Sequence, residues 1–148
     1  MRALLQRTSG ASVAVEGQVV GSIGPGLVVF VGVGPADDET AADGLARRIT
    51  ELRIFRDADG RTNSSLVDVG GAVLLVSQFT LFADTRRGRR PGFTSAAPPE
   101  QAERLYGRVA AALRDRGVEV ATGRFGAEMA VNLTNDGPFT IWLDTDDR

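Results

Sequence analysis

Apolar positions in the first third of the chain alternate with polar ones and then run together. Residues 11–23 alternate on both sides of Gly17 and Gln18, which predicts a hairpin with its turn at these two residues. Residues 27–33 are continuously apolar apart from glycine, as expected for a central strand covered on both faces. The acidic pair 37–38 then caps a predicted amphipathic helix. The apolar stripe of this helix consists of Ala42, Leu45, Ala46, Ile49 and Leu52.

The middle of the chain predicts a second hairpin and then a long loop. Residues 65–69 and 72–76 have the composition of strands. Gly70 and Gly71 between them suit a two-residue turn, because positive φ angles cost glycine little. Residues 82–97 show no apolar periodicity, which indicates a loop.

The last third predicts a second helix and two more strands. Pro98 and Pro99 open a helix that stops at Gly117. Its apolar stripe consists of Ala102, Leu105, Tyr106, Val109, Ala110 and Leu113. Residues 127–134 and 139–144 alternate again and predict two strands joined by a turn. Strands and helices do not alternate strictly along the chain, so the pattern indicates an α+β fold.

Composition restricts the chemistry more than the fold. The 148 residues include no cysteine and no histidine, and all 17 basic residues are arginine. These absences exclude Ser-His-Asp and Cys-His catalysts, a Schiff-base lysine and a zinc site built on histidine or cysteine, so neither a metal nor a cofactor is expected. Acid–base chemistry must come from Asp, Glu or Tyr, or from the substrate. With a net charge of −2, any contact with nucleic acid must be local.

Length and hydropathy favour a single domain, residues 1–148, in the cytoplasm. A mass of 15.6 kDa with 43% hydrophobic residues is enough for one proper core. No run of about 18 apolar residues predicts a membrane span, and the N-terminus becomes polar too soon for a signal peptide.

Two glycine-containing motifs are better explained as local structure than as ligand sites. Gly32 and Gly34 lie between a predicted strand and a helix, but the third glycine of a dinucleotide fingerprint is missing and acidic residues crowd the helix N-terminus. Asp57, Asp59 and Gly60 resemble the start of a calcium loop. The glycine comes too early, however, and no closing glutamate follows, so a turn is expected.

Two other segments are candidates for function. The strand-end segment, residues 77–81, reads Ser-Gln-Phe-Thr-Leu and follows an apolar strand. The Gly-Pro segment, residues 135–140, reads Asn-Asp-Gly-Pro-Phe-Thr and is predicted to be a tight turn. On the residues alone the first is a strand end with three hydrogen-bonding side chains, and the isomer of the Gly-Pro bond is not determined. In these segments, and over nearly all of residues 1–144, the chain resembles the D-aminoacyl-tRNA deacylase family.

The resemblance implies a fold, an activity and partners. The implied fold is a curled, barrel-like, mostly antiparallel sheet with two helices packed outside it. The implied activity is hydrolysis of the ester of D-aminoacyl-tRNA, and of mischarged glycyl-tRNA, as proofreading in translation. The implied partners are the 3′ CCA end of aminoacyl-tRNA and a second copy of the chain. In the family, the Gly-Pro segment of one subunit, with a cis bond, enters the other subunit's pocket and rejects L-amino acids.

The resemblance also assigns roles to residues. Gln78, Phe79 and Thr80 are the expected catalytic residues, with main-chain N–H groups that hold the oxyanion. No histidine can deprotonate Thr80, so we expect its hydroxyl to form hydrogen bonds and not to attack. The 2′-hydroxyl of the terminal ribose is then expected to activate or position the water. The expected substrate-binding residues are Ser77, Phe125, Met129, Gly137 and Pro138.

The arginine loop, residues 86–90, concentrates positive charge beside the strand-end segment. It contains Arg86, Arg87, Arg89 and Arg90. Contact with tRNA phosphates is one interpretation and a solvated loop is the other. Only Phe82 and Phe93 lie nearby in sequence, so stacking of bases is not expected here.

Two residues depart from the family pattern. Gly92 stands where serine is usual, which removes a hydroxyl contact or cap. Phe139 follows the Gly-Pro pair where a small aliphatic residue is usual, so the shape of the pocket is left open.

A second function, from another class, is compatible with the same residues. A non-catalytic module that binds the CCA end of tRNA, or another nucleotide, would also use strand-end hydroxyl groups and an arginine loop. Turnover of the ester separates the two. The sequence does not determine the range of amino acids or of tRNAs, or the group that accepts the proton.

Overall fold

The computed structural model describes residues 1–147, which form eight strands, two α-helices and one short 3₁₀ helix. The strands are β1 Arg2–Val15, β2 Gln18–Ile23, β3 Gly26–Gly32, β4 Phe55–Arg56, β5 Thr62–Ser64, β6 Ala72–Ser77, β7 Val120–Thr122 and β8 Ala130–Asp144. The helices are α1 Glu39–Glu51, the 3₁₀ helix Phe79–Phe82 and α2 Pro99–Asp115. Over residues 1–147, no helix has the length and apolar character needed to cross a membrane.

One mixed sheet contains six of the strands and is organised around β1. β2 and β3 pair antiparallel with one edge of β1, and β8 pairs antiparallel with the other edge. β6 then joins β3, and β7 joins β6, both in parallel. β2 approaches β7 so closely that a Cβ on Gly21 would lie 2.6 Å from the carbonyl oxygen of Thr122. The sheet is therefore curled into a nearly closed barrel with mostly antiparallel pairing, which confirms the expected fold class.

Both faces of β3 and β6 are buried, as the continuous apolar pattern predicted. Alternate side chains of these strands pack beneath the two helices in one core and inside the curl of the sheet in another. From β3 and β6 the helix-side core receives Leu27, Val29, Val31, Val73 and Leu75. The core inside the curl receives Val28, Ala72, Leu74 and Val76.

Both α-helices begin and end close to the predicted residues. The side chain of Asp38 accepts the backbone N–H of Ala41 at 2.9 Å and so caps α1. Pro99 is the first residue of α2, and Gly117 follows its end with φ at +80°, a conformation that favours glycine. The two predicted apolar stripes pack into the helix-side core.

The first hairpin is confirmed, with its turn one residue earlier than predicted. Val15 pairs with Gln18, so Glu16 and Gly17 form the two-residue loop. Their φ angles are 51° and 78°. Positive φ at both positions is the geometry that matches the twist of the flanking strands.

The predicted second hairpin is wrong. Residues 72–76 do form β6, but its neighbours are the parallel strands β3 and β7. Residues 65–69 follow a series of turns instead, in which the Asp68 carboxylate accepts the backbone N–H of Ser65 at 2.8 Å. Such local bonds replace those of a strand ladder. Leu66 is fully buried, so the apolar pattern here reflects one anchor residue under a loop.

The two strands predicted at the end of the chain are one strand, β8, which runs along β1 without reversing. Asn135 pairs with Thr8 and Thr140 pairs with Gln6, so five steps along β8 match two steps along β1. The extra residues form a bulge. The Gly-Pro segment is thus a bulge on an edge strand, and the predicted tight turn between two strands is wrong.

Candidate active site

The strand-end segment lies at the carboxyl end of the parallel strands β3 and β6. Gln78 leaves β6 and donates its backbone N–H to the carbonyl oxygen of Val31 at 2.7 Å. One 3₁₀ turn follows and carries Phe79 and Thr80 to the surface, where both are exposed. The carboxyl ends of parallel strands are a common place for ligands in α/β sheets.

Two backbone donors of this turn have no acceptor in the protein. Over residues 1–147, the N–H groups of Phe79 and Thr80 form no hydrogen bond, because they are the first donors of a 3₁₀ helix. The N–H of Gln78 is already bonded to Val31. Of the three expected oxyanion donors, the structure therefore leaves two available.

The side chains of Gln78 and Thr80 bond to each other. The amide Nε2 of Gln78 donates to the Oγ1 of Thr80. A hydroxyl oxygen that accepts one bond keeps its own proton for donation to another group. Thr80 is thus arranged to donate a hydrogen bond outward.

A cavity of about 350 Å³ opens on one side of the strand-end segment. Its walls are largely apolar and aromatic. They are formed by Val31, Val33, Ser77, Gln78, Phe79, Phe93, Ala96, Ala97, Pro99, Ala102, Tyr106, Phe125 and Gly126. The Tyr106 hydroxyl donates to the carbonyl oxygen of Leu75 at 2.7 Å, and burial raises the pKa of Tyr106 to about 12. Tyr106 therefore remains neutral near pH 7, and its hydrogen bond to Leu75 holds the end of strand β6.

A second cavity of about 240 Å³ shares Ser77, Gln78, Phe79 and Gly126 with the first. The remainder of its wall is formed by Val76, Ala127, Met129 and Val131. Of the residues expected to bind the substrate, Phe125 therefore lies in the larger cavity and Met129 in the smaller one.

Neither cavity is lined by a carboxylate or a guanidinium group. Over residues 1–147 there is also no group of three acidic side chains that could hold a metal ion. The walls offer apolar surface and the side chains of Ser77 and Gln78, and the 3₁₀ turn at their edge adds the free N–H groups of Phe79 and Thr80 and the Thr80 hydroxyl. This set can bind a polar reacting centre attached to an apolar or aromatic group, and it can stabilise negative charge on an oxygen.

The Gly-Pro segment is held by Arg7, which the sequence analysis missed. The Arg7 side chain is 3% exposed and its Nε lies 3.1 Å from both the carbonyl oxygen and the carboxylate of Asp136. Its guanidinium also donates to the Ile54 carbonyl oxygen at 2.5 Å and lies 4.1 Å from the ring centroid of Phe139. The usual small aliphatic residue could not form this cation–π contact, so Phe139 supports the bulge. A signal was present in the sequence, because Met1, Ala3 and Leu5 are alternating apolar residues and Arg7 occupies the next position on the same face.

Gly137 and Pro138 are exposed and are joined by a cis bond. The backbone of the bulge is also tied by Asn135, whose side-chain amide donates to the carbonyl oxygens of Arg7 at 3.0 Å and Phe139 at 3.1 Å. The bulge is therefore tied in place by side-chain bonds, while Gly137 and Pro138 remain exposed.

The strand-end segment and the Gly-Pro segment do not meet within one chain. Ser77 pairs with Val31 and Val31 pairs with Ala3, so Ser77 is in register with Ala3, whereas the bulge lies opposite Arg7. Across the sheet, three strand spacings of about 14 Å in total separate the two segments. Along the strands, the four residues from Ala3 to Arg7 separate them by about 13 Å. Neither Gly137 nor Pro138 lines either cavity.

The arginine loop is closed at its base by Asp84 and Gly92, whose backbones bond reciprocally at 2.8 and 2.9 Å. The Asp84 carboxylate accepts from the Arg86 side chain at 2.8 Å, and these hydrogen bonds hold the pKa of Asp84 well below its usual range. Arg86 is therefore a structural residue of the loop. The other three arginines, Arg87, Arg89 and Arg90, are exposed and form no ion pair within residues 1–147.

Gly92, the first departure from the family pattern, has room for a larger residue. The nearest atom to a Cβ at this position is the Asp84 carbonyl oxygen, at 4.0 Å. The glycine contributes through its backbone bonds to Asp84. A missing serine hydroxyl therefore does not disturb the base of the loop.

Comparison with known proteins identifies the class to which this fold and site belong. Residues 4–144 match the family model described as D-Tyr-tRNA(Tyr) deacylase. The chain therefore belongs to the D-aminoacyl-tRNA deacylase family of enzymes.

Individual relatives agree with that assignment. The chain is 62% identical over 144 residues to the D-aminoacyl-tRNA deacylase of Dinoroseobacter shibae, covering 97% of this chain and 99% of that protein. It is 60% identical over 148 residues to the protein of the same name from Paracoccus denitrificans, covering 100% of this chain and 99% of that protein.

Solved structures share the fold over the same length. The c-Myc DNA unwinding element binding protein superposes with a TM-score of 0.92 at 39% identity, covering 97% of this chain and 98% of that one. A probable eukaryotic D-amino acid tRNA deacylase superposes with a TM-score of 0.83 at 20% identity, covering 96% and 97%, which shows the common fold.

Proposed function

We propose that this protein hydrolyses the ester bond between a D-amino acid and the 3′ end of tRNA, releasing free tRNA and the amino acid. The observation that carries the proposal is the 3₁₀ turn after β6, which holds two unbonded N–H groups and a threonine hydroxyl and whose Phe79 lines an apolar cavity. The family membership of the chain supports this choice of substrate.

The chemistry depends on stabilising charge. Water attacks the ester carbonyl carbon, and the N–H groups of Phe79 and Thr80 donate to the oxygen on which negative charge develops. The cavity walls supply no base near pH 7, so the 2′-hydroxyl of the terminal ribose positions the water and assists proton transfer. The bond from the carbonyl carbon to the ribose 3′ oxygen then breaks, and the ribose oxygen takes up a proton. Thr80 donates its hydroxyl proton to the substrate and does not form a covalent bond.

The terminal nucleoside occupies the larger cavity, because the aromatic and apolar walls of that cavity at Phe125 and Tyr106 suit a base. The ester then lies at Ser77, one of the residues shared by the two cavities, and the amino acid faces the smaller cavity. Exposed arginines of the arginine loop contact phosphates of the CCA end. With aminoacyl-tRNA as its substrate, we expect the protein to act in the cytoplasm.

Selection of the D-amino acid requires a second copy of the chain. The Gly-Pro segment cannot reach the strand-end segment of its own chain, because about 13 Å along the strands and three strand spacings separate them. In a homodimer, the bulge of one protomer enters the other's site. Its carbonyl oxygens accept hydrogen bonds from the substrate ammonium, and Pro138 blocks an L side chain. Glycine, which has no side chain to reject, makes mischarged glycyl-tRNA a second substrate.

Hydrolysis of matched D-tyrosyl-tRNA and L-tyrosyl-tRNA tests the proposal directly. We expect rapid release of D-tyrosine and little release of L-tyrosine above the uncatalysed rate. The same assay with glycyl-tRNA tests the second substrate. A protein that binds both esters and protects them from hydrolysis would instead be a non-catalytic binding module, and the proposed function would be wrong.

A further inference from the structure

Two aromatic rings stand exposed at the mouth of the larger cavity. Phe79 is 56% exposed and Phe93 is 37% exposed. The rings meet edge to face, with 5.0 Å between their centroids and 72° between their planes. In such a pair only one of the four ring faces is covered by the partner ring. The pair therefore presents flat aromatic surface where the cavity opens.

Positive charge borders this ring pair. The arginine loop returns to its base at Gly92, and Phe93 is the next residue. Arg86 is neutralised by Asp84 at 2.8 Å, whereas the other three arginines of the loop are exposed. Aromatic rings beside a basic loop form the combination that binds single-stranded nucleic acid through base stacking and phosphate contacts. The sequence predicted no base stacking here, because only Phe82 and Phe93 lie near the arginine loop along the chain, and the fold adds Phe79 to Phe93.

We propose that the Phe79–Phe93 pair stacks the base that precedes the esterified nucleotide, with the arginine loop bound to the adjoining phosphate. The inference rests on the proposed function. If the terminal nucleoside fills the cavity, the preceding nucleotide leaves through its mouth, where the ring pair stands. Because every base has a flat face, this contact orients the end of the RNA without reading its sequence.

The first test changes the substrate and leaves the protein intact. Three D-tyrosyl esters are compared: that of adenosine, that of the trinucleotide CCA, and that of the same trinucleotide without the base of its second nucleotide. We expect kcat/KM for the intact trinucleotide to exceed that for the abasic one by about tenfold, or about 1.4 kcal/mol. Equal values for the two trinucleotides would refute the proposal.

The second test changes Phe93. Phe93→Leu keeps an apolar side chain and removes the aromatic face, whereas Phe93→Tyr keeps the face. We expect the tenfold preference for the intact trinucleotide to fall to about one in Phe93→Leu and to persist in Phe93→Tyr. The preference is a ratio measured on one preparation, so partial unfolding of a variant does not affect it. A preference that survives in Phe93→Leu would refute the assignment to this ring.

Failure of this inference and failure of the proposed function give different results. If the protein hydrolyses all three esters without regard to the second base, only the stacking proposal is wrong. If it hydrolyses none of them and D-tyrosyl-tRNA also remains intact, the proposed function is wrong and the inference is refuted with it.

Discussion

The strand-end segment and the Gly-Pro segment reach the surface in opposite ways. Ser77 ends a strand that is buried on both faces between parallel neighbours, and the site there consists of cavities on either side of it. The Gly-Pro segment is a bulge on an edge strand, exposed and fixed from behind by Arg7. One segment forms a recess and the other forms a projection. A recess and a projection that do not meet in one chain are what the proposed shared site of a homodimer requires.

The largest expected effect tests whether the strand-end segment of one chain and the Gly-Pro segment of another form one site. Thr80→Trp damages the recess, and Gly137→Val damages the projection, where a Cβ would lie 2.8 Å from the Asn135 side-chain oxygen. Each variant alone should be inactive. Unfolding, mixing and refolding equal amounts should restore up to about a quarter of wild-type activity, because half of the sites in mixed dimers combine two undamaged segments. Mixed dimers that form and remain inactive would show that each chain uses its own Gly-Pro segment.

The next effect is expected within the recess. Thr80→Ala removes the hydroxyl that is free to donate, so kcat should fall by about 10²-fold. Thr80 is exposed, so the free energy of unfolding should change by less than about 0.5 kcal/mol. Thr80→Ser keeps the hydroxyl and serves as the control. Equal rates for wild type and Thr80→Ala would mean that the site lies elsewhere.

Removal of the support behind the projection should cost stability. Arg7→Met leaves the Ile54 carbonyl oxygen without its hydrogen bond, so the free energy of unfolding should fall by about 2 kcal/mol. Urea unfolding measures the change. Arg47→Met is a matched control on the surface, where its ion pair with Glu51 should contribute less than about 0.5 kcal/mol. If both variants lose the same stability, Arg7 does not hold the bulge.

A smaller effect is expected from the arginine loop beside the recess. Replacing Arg87, Arg89 and Arg90 with Gln should raise KM for D-tyrosyl-tRNA. It should also reduce the slope of log KM against log salt concentration by about 2, for three lost phosphate contacts. Arg86→Gln is the comparison variant, because Arg86 is bonded to Asp84. An unchanged slope in the triple variant would make the loop a solvated surface.

The smallest effect concerns Tyr106 beneath the recess. Its pKa is raised to about 12 from 10.0, so the folded state holds this proton more tightly than the unfolded state. Its contribution to stability is therefore complete below pH 10 and is lost as the pH rises towards 12. Tyr106→Phe should lose about 1 kcal/mol near neutral pH and show a weaker decline between these pH values. If the free energy of unfolding falls equally in wild type and Tyr106→Phe as the pH rises, this role of Tyr106 would be contradicted.

Elements set by local chemistry were predictable from the sequence. The Asp38 cap, the stripes of α1 and α2 and the buried strand β3 follow from spacing alone, because helix caps and apolar periodicity act over a few residues. The strand-end segment and the Gly-Pro segment were found as motifs. The family, too, was recognised from them and confirmed by the family model.

Pairing and placement were decided by the tertiary structure. Apolar alternation does not specify a partner strand, so β6 was assigned to a hairpin although its neighbours are parallel strands from distant parts of the chain. For the same reason β8 was divided in two, because the bulge is defined only by its register against β1. The Arg7 contacts and the Phe79–Phe93 pair join residues far apart in sequence. The sequence by itself identified the two candidate segments, because their motifs are local, and only the packing of the sheet determined which residues lie together, because that depends on pairing between distant strands.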